Sequence, residues 1–207
     1  MRNWIERNGW SAGAVGGLLA TLGDFGELWV GNASQPGLHL AAAPGWILLP
    51  AVLIGVCGMF LYIAGYAACA LRVERMGHQR SADALIVAGV FFGGMAAVVH
   101  GATGVVISLA SGTSAPAGDA LAGILAAGPV YVSLWGLAFV PFLMANGILL
   151  KIYTTLGQRL LTPLPLMLAF TLGAILLPLP WRDFIAPAAV NIAHLIFFST
   201  LLVRPSA

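Results

Sequence analysis

Six near-continuous apolar runs, at about 11–31, 47–71, 84–108, 120–150, 162–179 and 184–203, limit what this chain can fold into. An α-helix rises 1.5 Å per residue, so ~20 apolar residues match the ~30 Å hydrocarbon core of a bilayer. Runs of that length, in a chain of 207 residues that is 60% hydrophobic and 8% charged, predict an all-α fold: a polytopic transmembrane helical bundle of six spans, one integral membrane domain over residues 1–207. The fourth run exceeds one crossing. Pro129 and Pro141 lie within it, and a mid-helix proline removes a backbone hydrogen bond, so a kink or a surface turn over 120–128 is expected there.

The basic residues give an orientation. Arg2 and Arg7 precede the first run, Arg72, Arg75 and Arg80 separate the second from the third, Lys151 and Arg159 follow the fourth, and Arg204 follows the sixth. Only Arg182 falls on the opposite side, which predicts that both termini are cytoplasmic. Trp4, Trp10, Trp29, Trp46 and Trp181 stand near run boundaries, where interface anchors belong. The start MRNWIERNGW followed by SAGAVGGLLATL has the build of a signal sequence, but no small-x-small site follows Leu22, so the segment is expected to be retained. Together these features predict a multi-pass protein of a prokaryotic plasma membrane, partnered by the lipid bilayer, by a small-molecule or lipid substrate, or by another membrane protein. No nucleic-acid motif or dense basic patch is present, which excludes that class of partner. Cys57 and Cys69 are separated by ~18 Å of helix and cannot pair. Asn32-Ala33-Ser34 matches a glycosylation acceptor.

Polar residues inside the runs carry the functional signal. In the first run Gly13, Gly16, Gly17, Ala20, Asp24, Glu27 and Gly31 recur at steps of three or four, which lie on one side of a helix. Gly89, Gly93, Ala96, Ala97, His100 and Gly104 do the same in the third, and Asn191 and His194 in the sixth. The second run offers Tyr62 and Tyr66, and the fourth offers Tyr131, Ser133 and Asn146. Counting the helical rise from the run ends places Asp24, Glu27, His100, Asn191 and His194 in one slab, with Asn146 outside it. A carboxylate near the centre of a bilayer costs roughly 2.5–3.5 kcal/mol on insertion scales, so the acids are expected to face the histidines.

Such a cluster admits several chemistries. Asp24, Glu27, His100 and His194 are suitable ligands for zinc or iron, which would make a metal-dependent membrane hydrolase. Histidines and an acid drawn from separate helices resemble the membrane hydrolases of the ceramidase and progestin-receptor-like group, and that resemblance implies a histidine-bound zinc. It rests on Asp24, His100 and His194 alone; the chain departs from the group in having six predicted spans rather than seven, and Asn191 where a paired histidine would stand. Alternatively, His100 and His194 could serve as axial haem ligands. A third reading makes Asp24, His100, Asn191 and His194 a proton relay with an orienting amide, as in a proton-coupled small-solute transporter. The remaining reading is a structural membrane subunit whose histidines only pack. Whether the chain is an enzyme does not follow from these residues.

Overall fold

The structure, a computed structural model, describes residues 1–28, 45–112, 128–156 and 188–203, with a few more between 169 and 185. Five α-helices of ten or more residues occur among them: α1 (Arg2–Leu28), α2 (Gly45–Arg75), α3 (Gln79–Gly112), α4 (Gly128–Leu156) and α5 (Ala189–Val203).

Glycine decides how they pack. Gly9, Gly16 and Gly23 recur every seven residues along α1, a period that keeps one stripe of a helix turned to the same neighbour. That neighbour is α2, running antiparallel. A Cβ on Gly9 would stand 2.8 Å from the Ala64 carbonyl oxygen, one on Gly16 2.7 Å from the Gly58 carbonyl oxygen, and one on Gly23 2.7 Å from the Gly55 Cα. The two backbones therefore touch along the seam. A second stripe seats α5: a Cβ on Gly13 would meet the Phe198 ring at 2.7 Å, and one on Gly17 the Leu195 backbone nitrogen at 2.5 Å.

The link from α2 to α3 follows from one residue. Gly77 takes φ +85°, a conformation that side chains disfavour. It lets the Gly77 amide donate to the Glu74 carbonyl at 2.8 Å and the His78 amide to the Val73 carbonyl at 3.3 Å, the paired bonds of a glycine-ended helix. The chain reverses at once, and α3 packs back on α2. Gly89 abuts Tyr66, and Gly93 abuts the Met59 carbonyl. On the far side of α3 lies α4, with the Phe92 and Phe142 ring centroids 5.2 Å apart. Tyr62, Tyr66, Leu85, Phe92, Phe142, Phe197 and Phe198 fill the core between the helices. At one end, Arg2 pairs with Glu74 at 3.1 Å and Arg75 with Glu6 at 2.6 Å, tying the start of α1 to the end of α2. Exposed pairs of this kind contribute only ~0–1 kcal/mol each.

This bundle corrects the six-span expectation. Among the described residues, only Trp46–Arg75 and Gln79–Val105 are long and apolar enough to cross a membrane. Gly136–Ile152 and Ala189–Val203 are apolar but shorter, and α1 carries Arg2, Glu6 and Arg7 at one end and Asp24 and Glu27 at the other. The interactions that hold the bundle join α1 and α5, which are not spans by this measure, to α2 and α3. The multi-pass topology, the plasma-membrane location, the cytoplasmic placement of both termini and the bilayer, substrate and membrane-protein partners all rested on six spans, and they fall with it. The apolar runs had a different source: the helices are apolar on their outer faces as well, with Leu18, Phe60, Phe91 and Leu143 exposed.

Two smaller points also change. Trp10, expected as an interface anchor, lies under the Arg72 guanidinium, 5.4 Å from its ring centroid. Pro141 sits inside α4, which continues through it. The expected features at Trp29, Asn32, residues 120–127, the 162–168 stretch and Trp181 lie outside the described residues.

The seam makes an opposed pair of expectations. A Cβ on Gly58 would press on the Ala20 amide nitrogen at 2.6 Å and the Gly16 carbonyl at 2.7 Å, whereas one on Gly94 meets nothing within 4 Å. Gly58→Ala should lower stability by ~1–3 kcal/mol through overpacking, and Gly94→Ala should raise it by ~0.5–1 kcal/mol through helix propensity. Chemical denaturation of both variants measures the difference; equal effects would contradict the backbone contact.

Candidate functional site

The two α1 acids lie one turn apart near its end, where the glycine seam has already brought α2 within backbone contact. Asp24 is 8% exposed, Glu27 1% and His100 4%, so all three side chains are closed off from water. His100 reaches across from α3 into the space above Gly55, where a Cβ would lie 1.8 Å from its Nε2. Gly23 bounds the same space from α1, its Cβ position 2.9 Å from that nitrogen. The ring so placed lies between two carboxylates. Its Nδ1 is 3.3 Å from Asp24 Oδ1 and its Nε2 3.2 Å from Glu27 Oε1. Nε2 also donates to the Ala51 carbonyl at 3.4 Å. Among the described residues the partners of the two ring nitrogens are the Asp24 carboxyl at Nδ1 and the Ala51 carbonyl and Glu27 carboxyl at Nε2, an arrangement that favours a proton on each nitrogen and so the imidazolium.

From Asp24 the network continues to α5 and back to α2. Asn191 Nδ2 donates to Asp24 Oδ2 at 2.5 Å, and the Tyr62 hydroxyl donates to Asn191 Oδ1 at 2.8 Å. The amide is therefore fixed in one orientation: its NH2 faces the carboxylate and its oxygen faces the phenol.

His194 stands beside this line and not in it. Its Nδ1 lies 2.7 Å from the Val190 carbonyl, which only accepts, so Nδ1 carries the proton; Nε2 then accepts from the Tyr66 hydroxyl at 2.8 Å. The ring is packed by Tyr62, Phe92, Phe142 and Phe198, with centroids 4.5–6.1 Å away. Among the described residues no charged group touches it there. Burial accordingly pushes the His194 imidazole down to about 4, against the opposing pull of the Val190 carbonyl. For His100 burial acts in the same direction, but the Asp24 and Glu27 carboxylates outweigh it and hold the ring above its usual 6.5. Burial pushes the Glu27 carboxyl up to about 8, with the positive charge of His100 opposing and the negative charge of Asp24 adding to the shift. Asp24 is raised from 3.8 by burial as well, while His100 and Asn191 pull it back.

The metal and haem readings are corrected by this geometry. Among the described residues no group of three or more His, Cys, Asp or Glu side chains is arranged to hold a metal ion. A histidine ligates through a free lone pair. Both nitrogens of His100 point at acceptors, and both nitrogens of His194 are taken by Val190 and Tyr66, so neither offers one to zinc, iron or haem. The zinc-hydrolase resemblance loses its basis for the same reason.

Asn146, placed outside the cluster by the depth count, is buried on α4 and donates to the Phe142 carbonyl of its own helix. Cys57 and Cys69 are both free thiols. Sequence reasoning named Tyr62 and Tyr66 without placing them in the cluster, and did not name Gly23 or Gly55. The signal for the tyrosines was present, since a spacing of four puts both hydroxyls on the face of α2 that α5 covers. For Gly55 there was none, because only the partner ring gives an isolated glycine its meaning. Comparison with protein-family models, with curated proteins and with solved structures finds no match to this chain.

A methyl group on Gly55 cannot coexist with the imidazole. Gly55→Ala should drive His100 off Glu27 and return its titration toward the ordinary histidine value, seen as a neutral ring in imidazole 15N spectra at a pH where the parent ring is charged. An unchanged His100 spectrum in that variant would show that the ring is not seated there.

Proposed function

We propose that this protein works by reversible proton binding at the buried Asp24, His100 and Glu27 side chains, with the seating of α1 against its neighbours as the response. One observation carries the reading: a single imidazole lies between two carboxylates with one ring nitrogen directed to each. Three titratable groups in contact and away from water cannot change charge independently. One imidazolium and two carboxylates leave the pocket with a surplus negative charge, and an uncompensated buried charge costs several kcal/mol. Proton uptake removes that charge; release restores it. The seam is where such a change is felt, since Gly23 and Gly55 leave no slack around the ring. Asn191 serves as the orienting amide. His194, held neutral by Tyr66 and Val190, keeps α5 in register with α2 without taking part in the exchange.

The reading fixes a direction of pH dependence. Glu27 holds its proton up to about 8 in the folded chain, against 4.5 when unperturbed. The stability it contributes is complete below 4.5 and lost as pH rises through about 8. His100 is raised above 6.5 and Asp24 above 3.8, so both act in the same sense. His194 opposes them on the acid side: its contribution is present above 6.5 and lost as pH falls through about 4. Between 6.5 and about 8 the proton-binding side chains act alone. Stability measured by denaturant titration should therefore fall across that window, and Glu27→Gln, which keeps the shape and removes the titration, should flatten the fall. Parallel curves for the two proteins would leave a static ion pair as the only role of the cluster.

A further inference from the structure

The two carboxylates have unequal surroundings. Asp24 is engaged at both oxygens, Oδ1 by His100 Nδ1 and Oδ2 by the Asn191 amide, and that amide is itself fixed by the Tyr62 hydroxyl. Glu27 has far less. Its Oε1 is buried with no hydrogen bond of its own, because the neighbouring His100 Nε2–H is directed at the Ala51 carbonyl. Beside Oε1, Val52 fills the space next to Gly104, and a Cβ on Gly104 would sit 3.3 Å from that oxygen. A carboxylate with a donor at each oxygen is stabilised in its charged form, and a buried carboxylate oxygen left without one disfavours that form.

From this asymmetry, and resting on the proton-binding reading above, we infer that Glu27 is the group that takes up and releases the proton, while Asp24 stays ionised as the fixed counter-ion of His100. The proton-bound pocket then holds one imidazolium, one carboxylate and one carboxylic acid, and its net charge is zero. Release turns the Glu27 carboxylic acid into a carboxylate and sends the proton to solvent; no other bond is made or broken. Among the described residues, the titratable groups facing Glu27 are Asp24 from its own helix and His100 from α3. α2 faces the site with Val52 and the Ala51 carbonyl, and α5 meets Asp24 through the neutral Asn191 amide. Asp24 supplies a like charge close by, so it keeps the Glu27 proton in place at neutral pH.

Infrared spectroscopy of the full chain separates the two acids without any substitution. A protonated carboxyl group gives a C=O stretch distinct from that of a carboxylate, and selective 13C labelling of glutamate or of aspartate shifts the band of the labelled type. The chain has three glutamates, and Glu6 and Glu74 both pair with arginine at the surface, so a glutamic acid band that persists near neutral pH belongs to Glu27. The expected result is a protonated band that shifts with labelled glutamate, does not shift with labelled aspartate, and disappears as pH rises through about 8. Glu27→Gln should abolish it. Asp24→Asn, by removing the like charge, should move its disappearance to lower pH. A band that shifts with labelled aspartate would overturn the assignment and leave the proton-binding reading standing. Absence of any titrating protonated carboxyl would overturn both.

Discussion

The placement of one imidazole controls the interior of this bundle. His100 enters from α3, but the space it fills belongs to α1 and α2, and that space exists because Gly23 and Gly55 face each other there. A side chain at either position would part the helices or expel the ring. With the ring present, two acids of α1 acquire a positive neighbour, and Asp24 is then available to receive α5 through Asn191. Breaking a buried charged pair by removing one partner typically costs ~3–5 kcal/mol, since the remaining charge is left without compensation. Four of the five helices thus depend on the same few atoms. The exposed arginine–glutamate pairs at the end of the bundle carry little of that burden.

The two buried histidines show how surroundings alone set the charge of a side chain. His100 meets carboxyl and carbonyl oxygens and is held as a cation; His194 meets one carbonyl, one hydroxyl and five aromatic rings, and is held neutral. Both are nearly free of solvent, so burial is common to them and does not account for the difference. What differs is the charge of the neighbours. The consequence is a division of labour within one polar layer, where His100 carries the positive charge between the two acids and His194 stays neutral down to about 4. Tyr62 connects the two, since its hydroxyl bonds Asn191 while its ring packs on His194.

Much of the cluster could be read from spacing and helical rise. Steps of three and four put Asp24 and Glu27 on one face of α1, and counting 1.5 Å per residue brought them level with His100 and Asn191, which they meet. The same arithmetic set His194 among them, and the structure sends its ring to Tyr66 instead. Depth locates a residue along a helix axis but says nothing about which of two neighbours its ring will bond, and a tyrosine hydroxyl competes as well as a carboxylate for a neutral imidazole. The helical class was also legible. The six spans were not, because hydropathy registers how apolar a helix is and cannot tell an apolar outer face from a crossing. In α2 and α3 both faces are apolar; in α1 the polar ends and the glycine stripes mark a helix built for close packing on two sides.

That close packing gives a proton somewhere to act. A charge change in a loosely packed pocket would be absorbed by rotamer shifts and admitted water, with little effect beyond the site. Here the ring is bounded by two glycine backbones, one acid is tied through an amide to another helix, and the other acid has no alternative donor at Oε1. When Glu27 loses its proton, the new negative charge has His100 as its compensating neighbour, and Asp24 must share that cation. The Asp24 carboxylate then leans more heavily on Asn191, whose orientation is already set by Tyr62. A protonation step on α1 is thereby passed to α5 and α2 through hydrogen bonds that exist before the step occurs, and the rigidity of the glycine seam converts a change in charge into a change in fit.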